Sequence, residues 1–174
     1  MEETFFKENL EKTRQKLIEE FVHLSEEELN WKPDNSSWSI AQIVHHLELS
    51  EVVFTKAIGY GLKKQSDEGG LKAKKIEYVL DRSRKVAAPE MVLPSDKPFR
   101  VEELVDQLSK SRKQFFSVIA KLDSKDTLYQ RSVKHPIFGD LPLVQWVELL
   151  FLHEQRHIQQ MKEIKEMIEG TLKA

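Results

Sequence analysis

The chain has 174 residues, 40% of them hydrophobic and 32% charged, with a formal net charge of −2. That is the balance of an ordinary globular domain large enough to bury a core, and basic residues spread along every segment give no reason to expect nucleic acid as a partner. The absence of cysteine excludes disulfides, thiolate ligands and a cysteine nucleophile, so a metal would be held by nitrogen and oxygen, and any thiol would come from outside.

The start, MEETFFKENLEKTR, is charged where a signal peptide would be apolar, and no apolar stretch approaches the length of a membrane span. A cytoplasmic protein with no membrane partner is the expectation. Between residues 3 and 24, Phe6, Leu10, Leu17, Phe21 and Leu24 recur on one face of a first helix. The stretch SEEELNWKPDNSSW reads as a linker, and it ends at Ser39-Ile40-Ala41-Gln42. Those four residues form a capping box: Ser39 accepts from the Gln42 amide, and the Gln42 side chain returns to the amide of Ser39. A second helix is predicted from Ile40 to about Tyr60, ending near Gly59 and Gly61. Residues 62–99 contain KKQSDEGG, the basic run RSRK and prolines at Pro89, Pro94 and Pro98. They read as loop, with a short helix over Lys75 to Ser83, and the basic run reads as a solvated charge cluster.

A third helix follows PFR, where Val101, Leu104, Val105, Leu108, Phe115, Ile119 and Leu122 keep helical spacing and Glu102 and Glu103 suit a helix N-terminus. The segment DSKDTLYQRSVKHPIFGDLP reads as a second loop, with His135 stabilising its turn and Pro142 in the first turn of a fourth helix. That helix is predicted to reach about Glu169, with Gly170 terminating it. No segment reads as a strand. The expectation is a single all-α domain over residues 1–174, a four-helix bundle with long loops between helices two and three and between helices three and four. Trp31, Trp38 and Trp146 are assigned to packing.

The fourth helix carries H-E-x-x-H at His153 to His157, a string associated with zinc proteases. The two histidines stand one turn apart on the inward, apolar face. A protease needs a third ligand downstream, where only Glu163, Glu166 and Glu169 follow on the same helix, which cannot bend back to the same ion. A third ligand is therefore expected upstream. His45 and His46 on the second helix are the candidates, and periodicity prefers neither decisively. Glu154 is rotated about 100° from His153 on a helix and is expected to face solvent; it and Gln160 are the candidates for a catalytic role. Glu48 and Glu51 read as helix-surface charge, with support of a ligand imidazole as the alternative.

The segment WSIAQIVHHLELSE, with W-S at the helix start and H-L eight residues after Trp38, resembles the second-helix signature of the DinB-like four-helix bundles. HPIFGDLPLVQWVELLFLHEQRHIQQ resembles their fourth-helix region, with its pattern H-x-x-x-H-x-x-Q. The resemblance implies a three-histidine site of His46, His153 and His157, with Gln160 as a pocket-lining or ligand-orienting residue. It also implies a divalent metal, zinc or nickel in the first instance and iron or manganese otherwise, and a homodimer. The superfamily includes proteins assigned as metal-dependent hydrolases, transferases of low-molecular-weight thiols such as bacillithiol or mycothiol, and members tied to stress responses. Three function classes follow: a thiol transferase acting on an electrophilic small molecule, a metal-dependent hydrolase, and a non-catalytic metal-binding module.

Overall fold

The computed structural model describes residues 2–67 and 70–172, with side chains from Phe6 onward; Met1, Glu68, Gly69, Lys173 and Ala174 lie outside the described residues. Four long helices form the bundle: α1 (Glu2–Phe21), α3 (Ile40–Gly61), α4 (Val101–Ile119) and α6 (Leu143–Leu172). Two five-residue helices, α2 (Glu26–Asn30) and α5 (Asp126–Gln130), interrupt the connections. In the bundle α3 lies against both α4 and α6, and α1 lies against α6. No described helix is long and apolar enough to cross a membrane.

The helix starts follow their capping chemistry. Ser39 accepts from the Gln42 amide at 3.1 Å while Gln42 Oε1 accepts from the Ser39 amide at 3.1 Å, as the capping box requires. Glu103 Oε2 accepts from the Arg100 amide at 2.9 Å and so satisfies a donor that α4 would otherwise leave open. The stretch expected as linker holds α2, opened by a second capping box between Ser25 and Glu28. At the far end of the chain the expected stop fails. Helix α6 runs through Gly170 to Leu172, because a terminating glycine must enter the left-handed region, and among the described residues only Gly70 and Gly139 do so.

Two four-residue strands, β1 (Ser132–His135) and β2 (Gly139–Pro142), pair antiparallel with His135 opposite Gly139. This corrects the expectation of a strandless connection, and Pro142 closes β2 rather than starting the helix. Strands this short leave too little alternation to detect. The left-handed Gly139, at φ 70°, lets the chain reverse over the three residues between them. Among the described residues of 62–99 the loop expectation holds, with 3-10 turns at Ile76–Leu80 and Glu90–Val92, while Glu68 and Gly69 lie outside the described residues.

The apolar core divides in two. One half gathers Leu17, Phe21, Ile43, Leu47, Leu108, Ile158 and Met161; the other gathers Leu10, Ile58, Phe115, Trp146 and Leu150. On each long helix a buried charged residue lies between the two halves: Arg14, Glu51, Arg112 and Glu154. Glu51 and Glu154 are 2% and 3% exposed, which corrects the reading of both as surface charge.

Candidate metal centre

Helix α3 delivers His46 and helix α6 delivers His153 and His157, and the three side chains meet. His153 Nε2 lies 3.2 Å from His46 Nε2 and 3.1 Å from His157 Nε2. The outer nitrogens are tied back: His46 Nδ1 donates to the Val92 carbonyl at 2.8 Å, and His157 Nδ1 donates to Gln160 Oε1 at 2.8 Å. A carbonyl has no proton to give, so the hydrogen in each bond belongs to the ring, and Nε2 of both His46 and His157 is left as a bare lone pair. Two lone pairs that each lie within 3.2 Å of the His153 Nε2 crowd three imidazole nitrogens together, an arrangement a cation would relieve. Imidazole nitrogens about 2.0–2.1 Å from a zinc-type ion, at angles between octahedral and tetrahedral, stand about 2.9–3.4 Å apart. The separations from His153 to the other two histidines fit that range, and all three ligand atoms lie within 4.8 Å of one another, so the triad could hold a metal ion.

Burial also suits the ligands to a metal. It is the leading cause that lowers the pKa of all three imidazoles, with His157 pushed down to about 3. Neutral rings offer lone pairs without proton competition. Aromatic rings border the triad: Trp38 packs on His46 at 4.9 Å, and Phe54 stacks on His153 at 6.1 Å.

His45, the competing candidate, points elsewhere: its Nδ1 accepts from the Ser95 amide at 3.0 Å, and its ring packs on Phe99. Gln160, the candidate for a pocket-lining or ligand-orienting role, meets His157 through its Oε1. His135 accepts from the Ile137 amide at 3.1 Å, the turn-stabilising role expected. Arg82 is spent on Glu163 through a two-pronged ion pair at 2.6 and 3.1 Å, while Arg84 stands in solvent.

Glu154 faces away from solvent, into a four-residue ion network that takes one residue from each long helix. Arg14 bonds Glu51 at 2.6 Å and Glu154 at 2.8 Å; Arg112 bonds Glu154 at 3.0 Å and also Glu51. Each arginine reaches one further carbonyl, Arg14 that of Leu108 and Arg112 that of Leu10. Burial works against ionising Glu51, but both guanidiniums and the Ser111 hydroxyl hold its carboxyl below the usual range. For Glu154 burial prevails over the arginines and raises the pKa, and its Oε2 has no hydrogen-bond partner.

One contributor left no trace in the sequence. Arg156 of α6 donates to the carbonyls of Val79, Asp81 and Arg84, pinning the long connection beside the triad. Donation to backbone has no residue-type signature. A cavity of about 100 Å³ among Phe6, Leu10, Phe115 and Val147 shares no lining residue with the histidines.

The family model of the DinB superfamily matches residues 9–161. The chain belongs to the DinB superfamily. Among curated proteins this DinB-superfamily chain is 33% identical over 150 residues to the uncharacterized protein YuaE of Bacillus subtilis (strain 168), covering 86% of this chain and 91% of that one. Among solved structures it is similar to TT2238, described as a four-helix bundle protein, with a TM-score of 0.60 and 16% identity over 91% of this chain and 96% of the other. At that identity the likeness speaks for the fold.

Proposed function

We propose that His46, His153 and His157 bind a divalent metal ion, zinc or nickel in the first instance, and that the protein is an enzyme transferring a low-molecular-weight thiol to an electrophilic small molecule. The observation that carries this reading is the convergence of the three Nε2 atoms, with two of them fixed as lone pairs by Val92 and Gln160. Three nitrogen ligands from two helices leave coordination positions open, as catalytic sites do and closed structural sites do not. A bound divalent ion supplies the electrostatic stabilisation that favours the thiolate at neutral pH.

The chain's own residues do the rest. Val92 and Gln160 hold the imidazole tautomers, and burial keeps the rings unprotonated. Phe54 and Trp38 give the triad apolar flanks. The chain has no cysteine, so the sulfur nucleophile comes from solution. In the transfer, a sulfur–carbon bond forms, the thiol proton goes to solvent, and the bond from carbon to the leaving group breaks. Water in place of the thiol gives hydrolysis, the alternative reading.

The test begins with metal content by mass spectrometry on untagged protein, alongside His46→Ala and His157→Ala. About one equivalent in wild type, lost in both variants, is expected. Loaded protein is then incubated with a thiol and an alkyl or aryl halide. Metal-dependent loss of free thiol supports transfer, halide release without thiol loss supports hydrolysis, and a wild type that takes up no metal ends both.

A further inference from the structure

His135 lies at the end of β1, 8% exposed, and its Nδ1 accepts from the Ile137 amide at 3.1 Å and the Phe138 amide at 3.4 Å. A ring nitrogen that accepts carries no hydrogen, so the proton of the neutral imidazole is on Nε2. Burial keeps the ring neutral, its pKa pushed down to about 4. Among the described residues Nε2 has no hydrogen-bond partner. The sealed polar atoms without one are Thr55 Oγ1, Gln107 Oε1, Arg131 Nε and Glu154 Oε2. His135 Nε2 is not in that set, and the residue keeps 8% of its surface exposed, so the N–H is not fully sealed from solvent. With no protein acceptor and aromatic rings around it, that N–H is available to an oxygen acceptor on a bound molecule.

The setting is aromatic. Trp146 and Phe138 pack on the His135 ring at 4.8 and 5.1 Å, and Phe54 meets it edge-on at 6.2 Å. The same Phe54 ring stacks on His153 at 6.1 Å. One phenyl group therefore borders both the triad and the unspent donor, and the two imidazoles are no farther apart than those two distances laid end to end.

We infer that His135 is a substrate-binding residue whose Nε2–H donates to an oxygen acceptor, a carbonyl or a carboxylate, on a small molecule that lies along Phe54 and Trp146 and meets the three-histidine centre at its other end. This rests on the metal reading above. It adds the substrate class: a compact molecule, apolar in its middle, with a reactive or metal-seeking end and an oxygen acceptor at the opposite end. Turn formation uses only Nδ1, so the second nitrogen is what a histidine offers here beyond an asparagine.

The test uses cobalt-loaded full-length protein titrated with three thiols: benzyl mercaptan, 4-(mercaptomethyl)benzamide and 4-(mercaptomethyl)benzoate. Thiol binding is read from sulfur-to-cobalt absorption. The amide, the acid or both are expected to bind wild type about tenfold more tightly than benzyl mercaptan, and which one gains identifies the acceptor. His135→Asn, which keeps an acceptor near the Nδ1 position but lacks the far nitrogen, loses the gain; His135→Gln, with a donor near the Nε2 position, retains it. In zinc-loaded wild type, the His135 Nε2–H proton resonance moves downfield with the acceptor-bearing thiol and not with benzyl mercaptan, a readout that stands even where a variant fails to fold. Equal binding of all three thiols, or a gain that survives in folded His135→Asn, overturns the inference while leaving the metal reading intact. A wild type that binds no metal overturns both.

Discussion

Glu51 and Glu154 are joined twice over, because Arg14 and Arg112 each bond both carboxylates. Helices α3 and α6, which carry the three histidines, are thereby clamped through guanidiniums borrowed from α1 and α4, neither of which contributes a histidine to the triad. The network balances two negative charges against two positive ones in a layer between two apolar half-cores. Such a layer contributes register more than net stability, since desolvation offsets most of the attraction.

Removing one member of that network should be costly. Arg112→Met leaves two buried carboxylates with a single guanidinium, and a loss of about 3–5 kcal/mol is expected. Adding Glu154→Gln to the Arg112→Met background removes the surplus charge and should recover part of the loss. Urea midpoints of the single and double variants check this; additive losses would show that the residues do not act as a unit.

Gln160→Leu removes the acceptor that holds the His157 tautomer while leaving all three histidines in place. Metal affinity is expected to fall about 10–100-fold, measured by competition against a chromophoric chelator. Unchanged affinity would mean that the hydrogen bond does not set the ring.

Acidification should destabilise the metal-free protein well above the range of ordinary carboxylates. Burial holds His135 down to about 4 and His157 to about 3. Both values lie below the unfolded value of about 6.5. As pH falls through 6.5 the unfolded chain takes up protons that the folded chain refuses, so stability is full above about pH 7 and is lost toward pH 4. For His135 alone the loss between pH 7 and pH 5 is on the order of 1–2 kcal/mol. Denaturant midpoints at pH 7.5, 6 and 5 follow the trend, and His135→Asn should flatten it; a flat profile in wild type contradicts the prediction.

Gly61 tests the packing of the hairpin on the bundle. A helical glycine changed to alanine ordinarily gains about 1 kcal/mol, but a Cβ here would stand 2.5 Å from Leu143 Cδ2 and 2.8 Å from Val133 Cγ2. Both neighbours must move, so Gly61→Ala is expected to lower stability by about 1–2 kcal/mol net. At Gly59, where the nearest atom is 3.7 Å away, the same change should be neutral or stabilising. Thermal midpoints of the two variants decide it.

The four long helices and the Ser39 capping box were legible in the chain because both are local: apolar residues three and four apart make a face wherever the helix sits, and a cap involves four consecutive residues. His153 and His157 were legible as a pair for the same reason. Choosing His46 over His45 took the family motif in the sequence or the assembled bundle, since neighbours on a helix differ by about 100° and only the packing of α3 against α6 sets which one turns inward. Burial of Glu51 and Glu154 was beyond local pattern altogether. Each, alone on its helix, looks like a residue for water, and only when Arg14 and Arg112 arrive from two other helices does the group become neutral enough to bury. The same holds for His135: the chain placed it in a turn, but its unspent Nε2–H and its shared wall with His153 exist only once α3, α6 and the hairpin have met.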